Sequence, residues 1–308
     1  MSKKRKDEIS ASLRYNRISK PANVLFNLLF IILSLTCIVP LVFVVIISFT
    51  SEASIQQAGY SFIPKEWSLS AYSYIWEARE SILRAYGISI LITVAGTVLG
   101  LILNASMGYV LSRSGFKLKK FFTYVVLIPM LFSGGMISFY LVVVRFLNIK
   151  DTLWALILPL AVSSFYVVIL RTFFQQTIPD AIVESAKIDG ASQLSIFFRI
   201  VLPISLPALA TIGLFLTFAY WNDWFNALLF IDDGKLVPLQ ALLMRIEKDI
   251  QFIQKNLSTL GAYGNTMELP SETAKMAIVV LVTLPIACTY PFFQKYFVSG
   301  LTVGAVKG

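Results

Sequence analysis

The sequence predicts an all-α, polytopic membrane protein with six transmembrane helices. Of its 308 residues 57% are hydrophobic and only 14% are charged, and the mean hydropathy is +0.75. A water-soluble core does not need so large an apolar share. Crossing a bilayer takes about 20 apolar residues. Runs of that length with almost no charge lie at residues 24–50, 86–112, 121–144, 152–173, 203–231 and 276–297.

The first span follows a basic amino-terminal tail, residues 1–23, which holds seven Lys and Arg residues. Residues 24–50 are too long for the apolar region of a cleaved signal peptide and have no obvious small-residue cleavage site. We therefore expect a span that is retained. The tail itself is expected to be solvated, as blocks of charge at chain ends usually are.

The Lys and Arg residues between the spans predict the orientation. Seven precede the first span and three follow it in residues 51–85; over the whole chain, 16 fall on the side of the amino terminus and 10 on the other. Since cytoplasmic loops carry the excess of positive charge, the amino terminus is predicted to be cytoplasmic. Six spans return the carboxyl terminus to the same side. Segments 113–120 and 171–201 then face the cytoplasm.

The remaining composition argues against several kinds of chemistry. The chain has no His, and Cys37 and Cys288 lie inside predicted spans, so we expect no metal site, no disulfide framework and no catalytic residues. The phosphate-binding pattern G-x-x-x-x-G-K-[ST] is absent, which predicts no bound nucleotide and no cofactor in this chain. The net charge of +9 could suggest nucleic acid, but the cations adjoin the spans, where anionic headgroups attract them.

A polar segment between the fourth and fifth spans, residues 180–202, predicts two short helices joined by a turn. Pro179 ends the preceding span, and Asp180 is predicted to cap a helix of about two turns. Gly190 then takes a positive φ that turns the chain, and Ser192 caps a second helix. The apolar residues of that second helix are predicted to anchor it against the membrane domain; they are Leu194, Phe197, Phe198 and Val201. An ordinary amphipathic interfacial helix would share these features.

The spacing within this segment carries a family resemblance. Glu184 and Ala186 precede Gly190, and after nine intervening residues Ile200-x-Leu202-Pro203 leads into the fifth span. This pattern resembles the coupling motif of the permease subunits of bacterial ABC importers, with Ser185 in place of the usual first Ala. Residues 132–140, 221–226 and 300–308 also look like carbohydrate importer permeases. The likeness is greatest to the maltose-type partner subunit and its oligosaccharide-importing relatives, although Ser138 stands where that family often has Pro.

The resemblance implies a type I ABC importer permease fold in a bacterial cytoplasmic membrane. The partners it implies are a second homologous permease, two ATP-binding-cassette ATPase subunits and an extracytoplasmic solute-binding protein, with ATP and Mg²⁺ bound by the ATPases. The carboxyl-terminal tail, residues 299–308, would reach the ATPase interface through Gly304 and Lys307. The residues expected to contact the ATPase are Glu184, Ser185, Ala186, Asp189, Gly190, Ile200, Leu202 and Pro203.

A carbohydrate path calls for aromatic faces that stack on sugar rings and for amides or carboxylates that bind hydroxyl groups. The candidates are Asn104, Tyr140, Tyr220, Asn222 and Asp223. Aromatic residues also collect at membrane interfaces regardless of function, and helix capping or subunit contact would equally explain Asn222 and Asp223. The outer loop, residues 232–275, would by resemblance meet the binding protein; a disordered surface loop is the alternative.

Two other classes of function compete with an importer subunit. One is a secondary transporter or channel that works without ATP, and the other is a membrane-embedded enzyme. The coupling motif disfavours the first. The missing His and the lack of an acidic pair inside a span weaken the second.

Overall fold

The computed structural model describes residues 19–260 and 271–305, which form two compact units. The first unit comprises the described residues up to Ser73 together with residues 271–280. The second comprises residues 74–260 and 281–305. Within these ranges the regular structure is helical, and no strand is present beyond one isolated bridge between Thr50 and Trp67. The predicted all-α class is confirmed.

The first unit contains helix α1 (Lys20–Ser48), helix α2 (Glu52–Ala58) and the first turns of the final helix, α14 (Ser271–Ala305). The apolar side chains of α1 are exposed along most of its length, as expected of a helix surrounded by lipid. The Glu52 carboxylate accepts hydrogen bonds from the backbone N–H groups of Glu272 and Thr273. It therefore caps the start of α14.

The second unit is built on a long helix, α4. In chain order its first helices are α3 (Ser70–Glu77, which begins in the first unit), α4 (Arg79–Ser112), α5 (Lys119–Leu131), α6 (Gly135–Leu141), α7 (Leu153–Ala161) and α8 (Ser164–Thr177). The α6 helix continues through a π-helical turn, Val142–Phe146. Helices α7 and α8 are bent by 47° relative to each other.

The remaining helices carry the polar segment and the predicted outer region. They are α9 (Asp180–Ile188), α10 (Gln193–Ile204), α11 (Leu206–Trp221), α12 (Phe225–Phe230) and α13 (Leu239–Leu260), followed by α14. A bend of 85° separates α10 from α11. The region predicted as an outer loop, residues 232–275, therefore contains a helix of 22 residues, α13. Its residues 261–270 lie outside the described part of the chain.

The six-span count remains a prediction. In the described residues three helices are long and apolar enough to cross a membrane, namely Lys20–Ser48, Arg79–Ser112 and Glu272–Thr289, and counting each bent pair as one span gives up to five. The predicted third span, residues 121–144, is interrupted between Leu131 and Gly135. Pro129 lies just before that break, and the φ of +80° at Gly135 turns the chain.

The buried core of the second unit depends on a close approach of α4 and α11. A Cβ atom at Gly96 would collide with the ring of Tyr220, so only glycine fits there. The Tyr220 hydroxyl donates a hydrogen bond to the Ile157 carbonyl oxygen at 2.7 Å, which ties α11 to α7. Helix α4 thus packs closely against α11, which is tied in turn to α7.

Candidate functional site

Helix α9 begins differently from the prediction. Pro179 occupies the cap position with extended backbone (φ −58°, ψ 142°), and Asp180 is the first helical residue. The Asp180 carboxylate accepts hydrogen bonds from the Arg113 guanidinium and from the Ser114 hydroxyl, each at 3.0 Å. The prediction that Asp180 caps the helix is wrong, because its side chain turns away to bind the end of α4.

Arg113 is a residue whose role sequence analysis missed. Besides Asp180, its guanidinium donates to the carbonyl oxygens of Phe174 and Ile178, at 3.2–3.3 Å, where α8 ends. The guanidinium also lies over the ring of Tyr109, 5.2 Å from its centroid, and the side chain is only 14% exposed. Helix carboxyl ends leave carbonyl groups unpaired and attract cations. The sequence showed Arg113 only as a cation in a loop, because its partners on α8 and α9 are more than 60 residues away in the chain.

Gly190 makes the turn between α9 and α10. Its φ is +81°, as predicted. The N–H of Gly190 binds the Lys187 carbonyl at 3.0 Å, and the N–H of Ala191 binds the Ala186 carbonyl at 2.9 Å, which is the Schellman pattern of hydrogen bonds. A Cβ atom at Gly190 would meet nothing within 4 Å. The glycine is therefore required by the backbone conformation and not by crowding within the described chain.

The second helix, α10, starts with the predicted cap, since the Ser192 hydroxyl accepts a hydrogen bond from the Ser195 N–H at 3.2 Å. Two of the four predicted anchors, Phe197 and Val201, are buried. The other two are wrong: Leu194 is 71% and Phe198 52% exposed. A π-helical turn at Phe197–Val201 shifts the buried face, because five residues then pass per hydrogen-bonded turn.

The predicted coupling residues divide by exposure. Glu184, Ser185, Asp189 and Gly190 lie on the outward surface with Pro203, whereas Ala186 is buried and Ile200 and Leu202 are half-buried. Ile188, which the sequence analysis did not select, is 86% exposed at the tip.

The buried residues of the coupling segment, residues 180–204, belong to one apolar core together with three long helices. Helix α4 contributes Tyr109, α8 contributes Phe174, and α11 contributes Leu216. The coupling segment contributes Val183, Ala186, Ile196, Phe197 and Val201. Because close-packed cores transmit displacement with little compression, a force on the coupling segment would move these helices together.

The predicted carboxyl-terminal contacts are only partly described. Gly304 lies in α14, which continues to Ala305, so the predicted tail begins as helix. Lys307 lies outside the described residues.

Two of the predicted path residues are buried in the core. Asn104 is fully buried; its amide nitrogen donates to the carbonyl oxygens of Gly100 and Ala161, and its oxygen accepts from the Ser163 N–H. It thereby satisfies the backbone at the break between α7 and α8, a need that is acute in a membrane. Tyr220 is likewise fully buried. Both side chains have structural roles in this conformation.

The other path candidates are more accessible, and of these Asp223 lies beside Tyr220, whose carbonyl oxygen accepts a hydrogen bond from the Asp223 N–H at 3.3 Å. Tyr140 is half-buried and stacks on Phe230, with ring centroids 5.9 Å apart. Asn222 is exposed between α11 and α12 and accepts a hydrogen bond from Gln240 at 3.2 Å. The Asp223 carboxylate accepts from the backbone N–H and the side-chain amide of Asn226. This is the capping role that the sequence left open as an alternative.

A cavity of about 330 Å³ between α4, α11 and α14 was not predicted. Its wall is mainly apolar, and its hydroxyl groups come from Thr93, Thr97, Thr217 and Thr289. The Thr93 hydroxyl is buried with no hydrogen-bond partner among the described residues. Threonines four residues apart on α4 are the signal that could have shown this polar line in the sequence.

Residues 96–303 match the family described as "binding-protein-dependent transport system inner membrane component". The chain is 42% identical to Protein LplC of Bacillus subtilis over 88% of this chain and 90% of LplC. It is 40% identical to the polygalacturonan/rhamnogalacturonan transport system permease protein YtcP of the same organism, over 93% of this chain and 99% of YtcP. These similarities include the whole coupling segment.

Among solved structures, the fold is similar to a chain of a bacterial ABC transporter involved in the import of the acidic polysaccharide alginate. The TM-score is 0.78 at 26% sequence identity, and the alignment covers 91% of this chain and 99% of that one. The similarity therefore extends beyond the family region to the amino-terminal helices.

Proposed function

This chain belongs to the family of inner membrane components of binding-protein-dependent transport systems, and from that premise we propose that it helps to move a carbohydrate inward in an ATP-driven importer. The coupling segment is the single observation that carries this proposal. It presents an exposed tip at Ile188 to Gly190 and shares one buried core with α4, α8 and α11. A separate protein could push on this segment and move the transmembrane helices.

The substrate class that we propose is an oligosaccharide. The name of YtcP specifies polygalacturonan and rhamnogalacturonan, and the structurally similar transporter imports alginate. Fragments of acidic polysaccharides are therefore the first candidates to test. Tyr140, Asn222 and Asp223 are the accessible residues that we propose for the path, while Asn104 and Tyr220 hold the helices around it.

The assembly that we propose contains a second, homologous permease, two ATPase subunits that bind ATP and Mg²⁺, and an extracytoplasmic binding protein. The amino and carboxyl termini and the coupling segment face the cytoplasm, in accord with the distribution of Lys and Arg. Helix α13 then lies on the outer side. Its polar residues, such as Glu247 and Lys248, provide a surface on which a binding protein could dock.

In the proposed cycle the loaded binding protein docks outside and ATP binding closes the ATPase pair. The exposed face of α9, with Glu184 and Ser185, sits in a groove of the ATPase, and Gly190 lets α10 turn back toward the membrane. The buried side of the coupling segment is continuous with three long helices. Closure of the ATPase pair would therefore move these helices and open the path to the outside. Hydrolysis of ATP would then reset it.

The proposal is tested by purifying the intact chain in mild detergent and identifying the proteins that copurify. We expect a second permease and an ATPase, with ATPase activity that rises when binding protein and acidic oligosaccharides are added. Gly190→Trp should remain in the membrane but lose most of that stimulation. Gly190→Asn should keep it, because Asn tolerates positive φ and adds little bulk.

Gly59→Trp is the matched control. Gly59 also has a positive φ, +73°, and a Cβ atom added there would meet nothing within 4 Å, but it lies in the first unit on the side predicted to be outside. Normal stimulation in Gly190→Trp, or a lone chain that moves solute without ATP, would support the ATP-independent transporter or channel instead.

A further inference from the structure

A cavity of about 550 Å³ lies on the inner side of the coupling segment. Its walls come from the end of α4, the turn at residues 113–116 and the facing sides of α9 and α10. Apolar side chains, among them Val110 and Phe116, line one part, and polar groups, among them Ser114 and Lys187, line the other.

A second, almost wholly apolar cavity of about 250 Å³ adjoins it. The two share Ser106, Val110 and Phe116, and the second extends past Met107 toward Phe122 on α5. Together the two cavities form a groove beside the last turns of α4, with polar groups on the side of the coupling segment and apolar side chains on the side of α5. This division matches a molecule with a polar head and an apolar tail.

One cation at the polar end can bind an anionic head. Of the four cations in residues 113–120 only Arg113 lines the cavity, together with Lys187 from α9. Of the two acidic residues in the wall, Asp180 is bound by Arg113 and Ser114, while Glu184 is exposed. The side chain of Lys187 makes no hydrogen bond or ion pair with another described residue, so its ammonium group is available to a ligand.

A buried hydroxyl group in the same wall also points to a ligand. Tyr109 is only 6% exposed, and its hydroxyl has no hydrogen-bond partner among the described residues. Buried polar atoms are nearly always paired, and leaving one unpaired is costly. The ester and phosphate oxygens of a lipid are acceptors of the kind that this hydroxyl lacks.

From these observations we propose that the groove binds one anionic phospholipid of the inner leaflet. The headgroup lies by Lys187, one of its phosphate or ester oxygens accepts a hydrogen bond from the Tyr109 hydroxyl, and one acyl chain runs over Val110 toward Phe122. The lipid bridges α4 and the coupling segment, so it stabilises their packing and strengthens coupling to the ATPase. Its cytoplasmic placement and this last effect rest on the proposed function; the binding itself does not.

The test is native mass spectrometry of the whole transporter, released from membranes with phosphatidylglycerol as the anionic lipid and phosphatidylcholine as the neutral one. We expect one tightly retained phosphatidylglycerol. Lys187→Gln should weaken its retention about fivefold, the effect of one lysine near an anionic headgroup. Val110→Phe should displace the lipid by filling the shared part of the groove, and since Val110 is 41% exposed the variant should still fold.

Two matched variants control for charge and bulk elsewhere. Lys235→Gln removes an exposed lysine in the predicted outer region, and Leu91→Phe enlarges a side chain on α4 that lines neither cavity. Both should retain the lipid.

Several results would overturn the proposal: equal retention in Val110→Phe and the parent protein, equal retention of phosphatidylcholine, or equal stabilisation by free inorganic phosphate. Cross-linking of a cysteine at position 110 to a partner subunit would show that a protein fills the groove. Lipid retention needs no transport, so Gly190→Trp should retain the lipid as the parent protein does. Failure of the lipid site and failure of the importer assignment are thus separable.

Discussion

The Arg113 guanidinium lies 3.0 Å from the Asp180 carboxylate, and this contact joins the last turn of α4 to the first residue of the coupling segment. The same guanidinium binds the carbonyl oxygens of Phe174 and Ile178 at the end of α8. One side chain therefore holds three helices at the place where a force from the ATPase would enter. The contact makes Arg113 a positioning residue for the coupling segment.

Replacing Arg113 should destabilise the protein and weaken coupling together. We expect Arg113→Ala to lower the free energy of unfolding in detergent by roughly 1.5–3 kcal/mol, the range for hydrogen bonds to charged groups. Asp180→Asn should cost less, because the bonds from Arg113 to the α8 carbonyls remain. Thermal unfolding and sugar-stimulated ATPase activity measure the two effects.

Arg84→Ala is the control for loss of an arginine. Arg84 pairs with Glu80 within α4, and the two side chains are 44% and 88% exposed, so its loss should change stability by less than about 0.5 kcal/mol. Equal effects of Arg84→Ala and Arg113→Ala would contradict the positioning role.

The positive φ of Gly190 predicts a cost for any other residue there even without a clash. Gly190→Ala should lower stability by about 1–2 kcal/mol, since a Cβ atom in the left-handed region crowds the backbone. Gly115→Ala is the comparison, because Gly115 also has open space but no positive φ, and it should be close to neutral. Thermal unfolding of both variants in the same detergent measures the difference. If Gly190→Ala were as stable as the parent protein, the positive φ at this turn would be contradicted.

The hydrogen bonds of Asn104 predict a structural rather than a substrate-binding phenotype. Asn104→Ala leaves the Ala161 carbonyl and the Ser163 N–H unpaired at the helix break, at about 1–3 kcal/mol for each group left unsatisfied. We expect a lower unfolding temperature and less protein in the membrane. Asn222→Ala, at an exposed site, should be nearly neutral for stability. If a variant of Asn104 had normal stability but an altered affinity for the sugar, Asn104 would instead be a residue of the substrate path.

The contacts of Asp151, in the turn before α7, predict that the stability of the protein depends on pH. The backbone N–H of Asp233, and after it that of Asp232 together with the charge of Lys150, hold the pKa of this carboxyl below its ordinary value. A lowered pKa stabilises the folded state above the ordinary pKa of an aspartate, about 3.9, and that contribution is lost as pH falls through the folded value. We expect the free energy of unfolding of the parent protein to decrease as the pH falls from the ordinary pKa of an aspartate through the lowered pKa of Asp151.

Asp151→Asn tests this dependence without disturbing the backbone, because Asn also accepts the φ of +60° found there. The variant should be less stable at neutral pH and should lose part of the change in unfolding temperature between pH 6 and roughly pH 3. An identical pH profile in the two proteins would contradict the assignment.

Much of the fold could be predicted because hydropathy is a local property. The start of α1 and the end of α4 fall within four residues of the predicted span boundaries, since each helix must bury its backbone polar groups internally in lipid. The break in the fourth predicted span could not be read the same way, because what permits the break between α7 and α8 is Asn104, which is more than 50 residues away.

In the predicted outer loop, by contrast, a helix was not foreseen. The polarity of residues 232–275 and their glycine and proline predict a loop, yet α13 occupies 22 of them. Its first turns pack on α4: the Leu239 N–H binds the Ser89 hydroxyl, and Ala241 joins the core around Ile92. Tertiary packing of one amphipathic face stabilised the helix, which composition alone could not indicate.

The sequence by itself determined the all-α membrane class, the family, the turn at Gly190 and the cap at Ser192. Each of these depends on residues close together in the chain, whose hydropathy, backbone freedom or capping groups act over one or two helical turns. Only the tertiary structure decided that Asp180 binds Arg113 instead of capping α9, that Leu194 and Phe198 remain exposed, and that Asn104 supports a helix break. The outcomes for Asp180 and Asn104 depend on which distant helix end lies within about 3 Å of a side chain, and hydrogen bonds of that length cannot be inferred from local pattern. The exposure of Leu194 and Phe198 follows from the π-helical turn at Phe197–Val201.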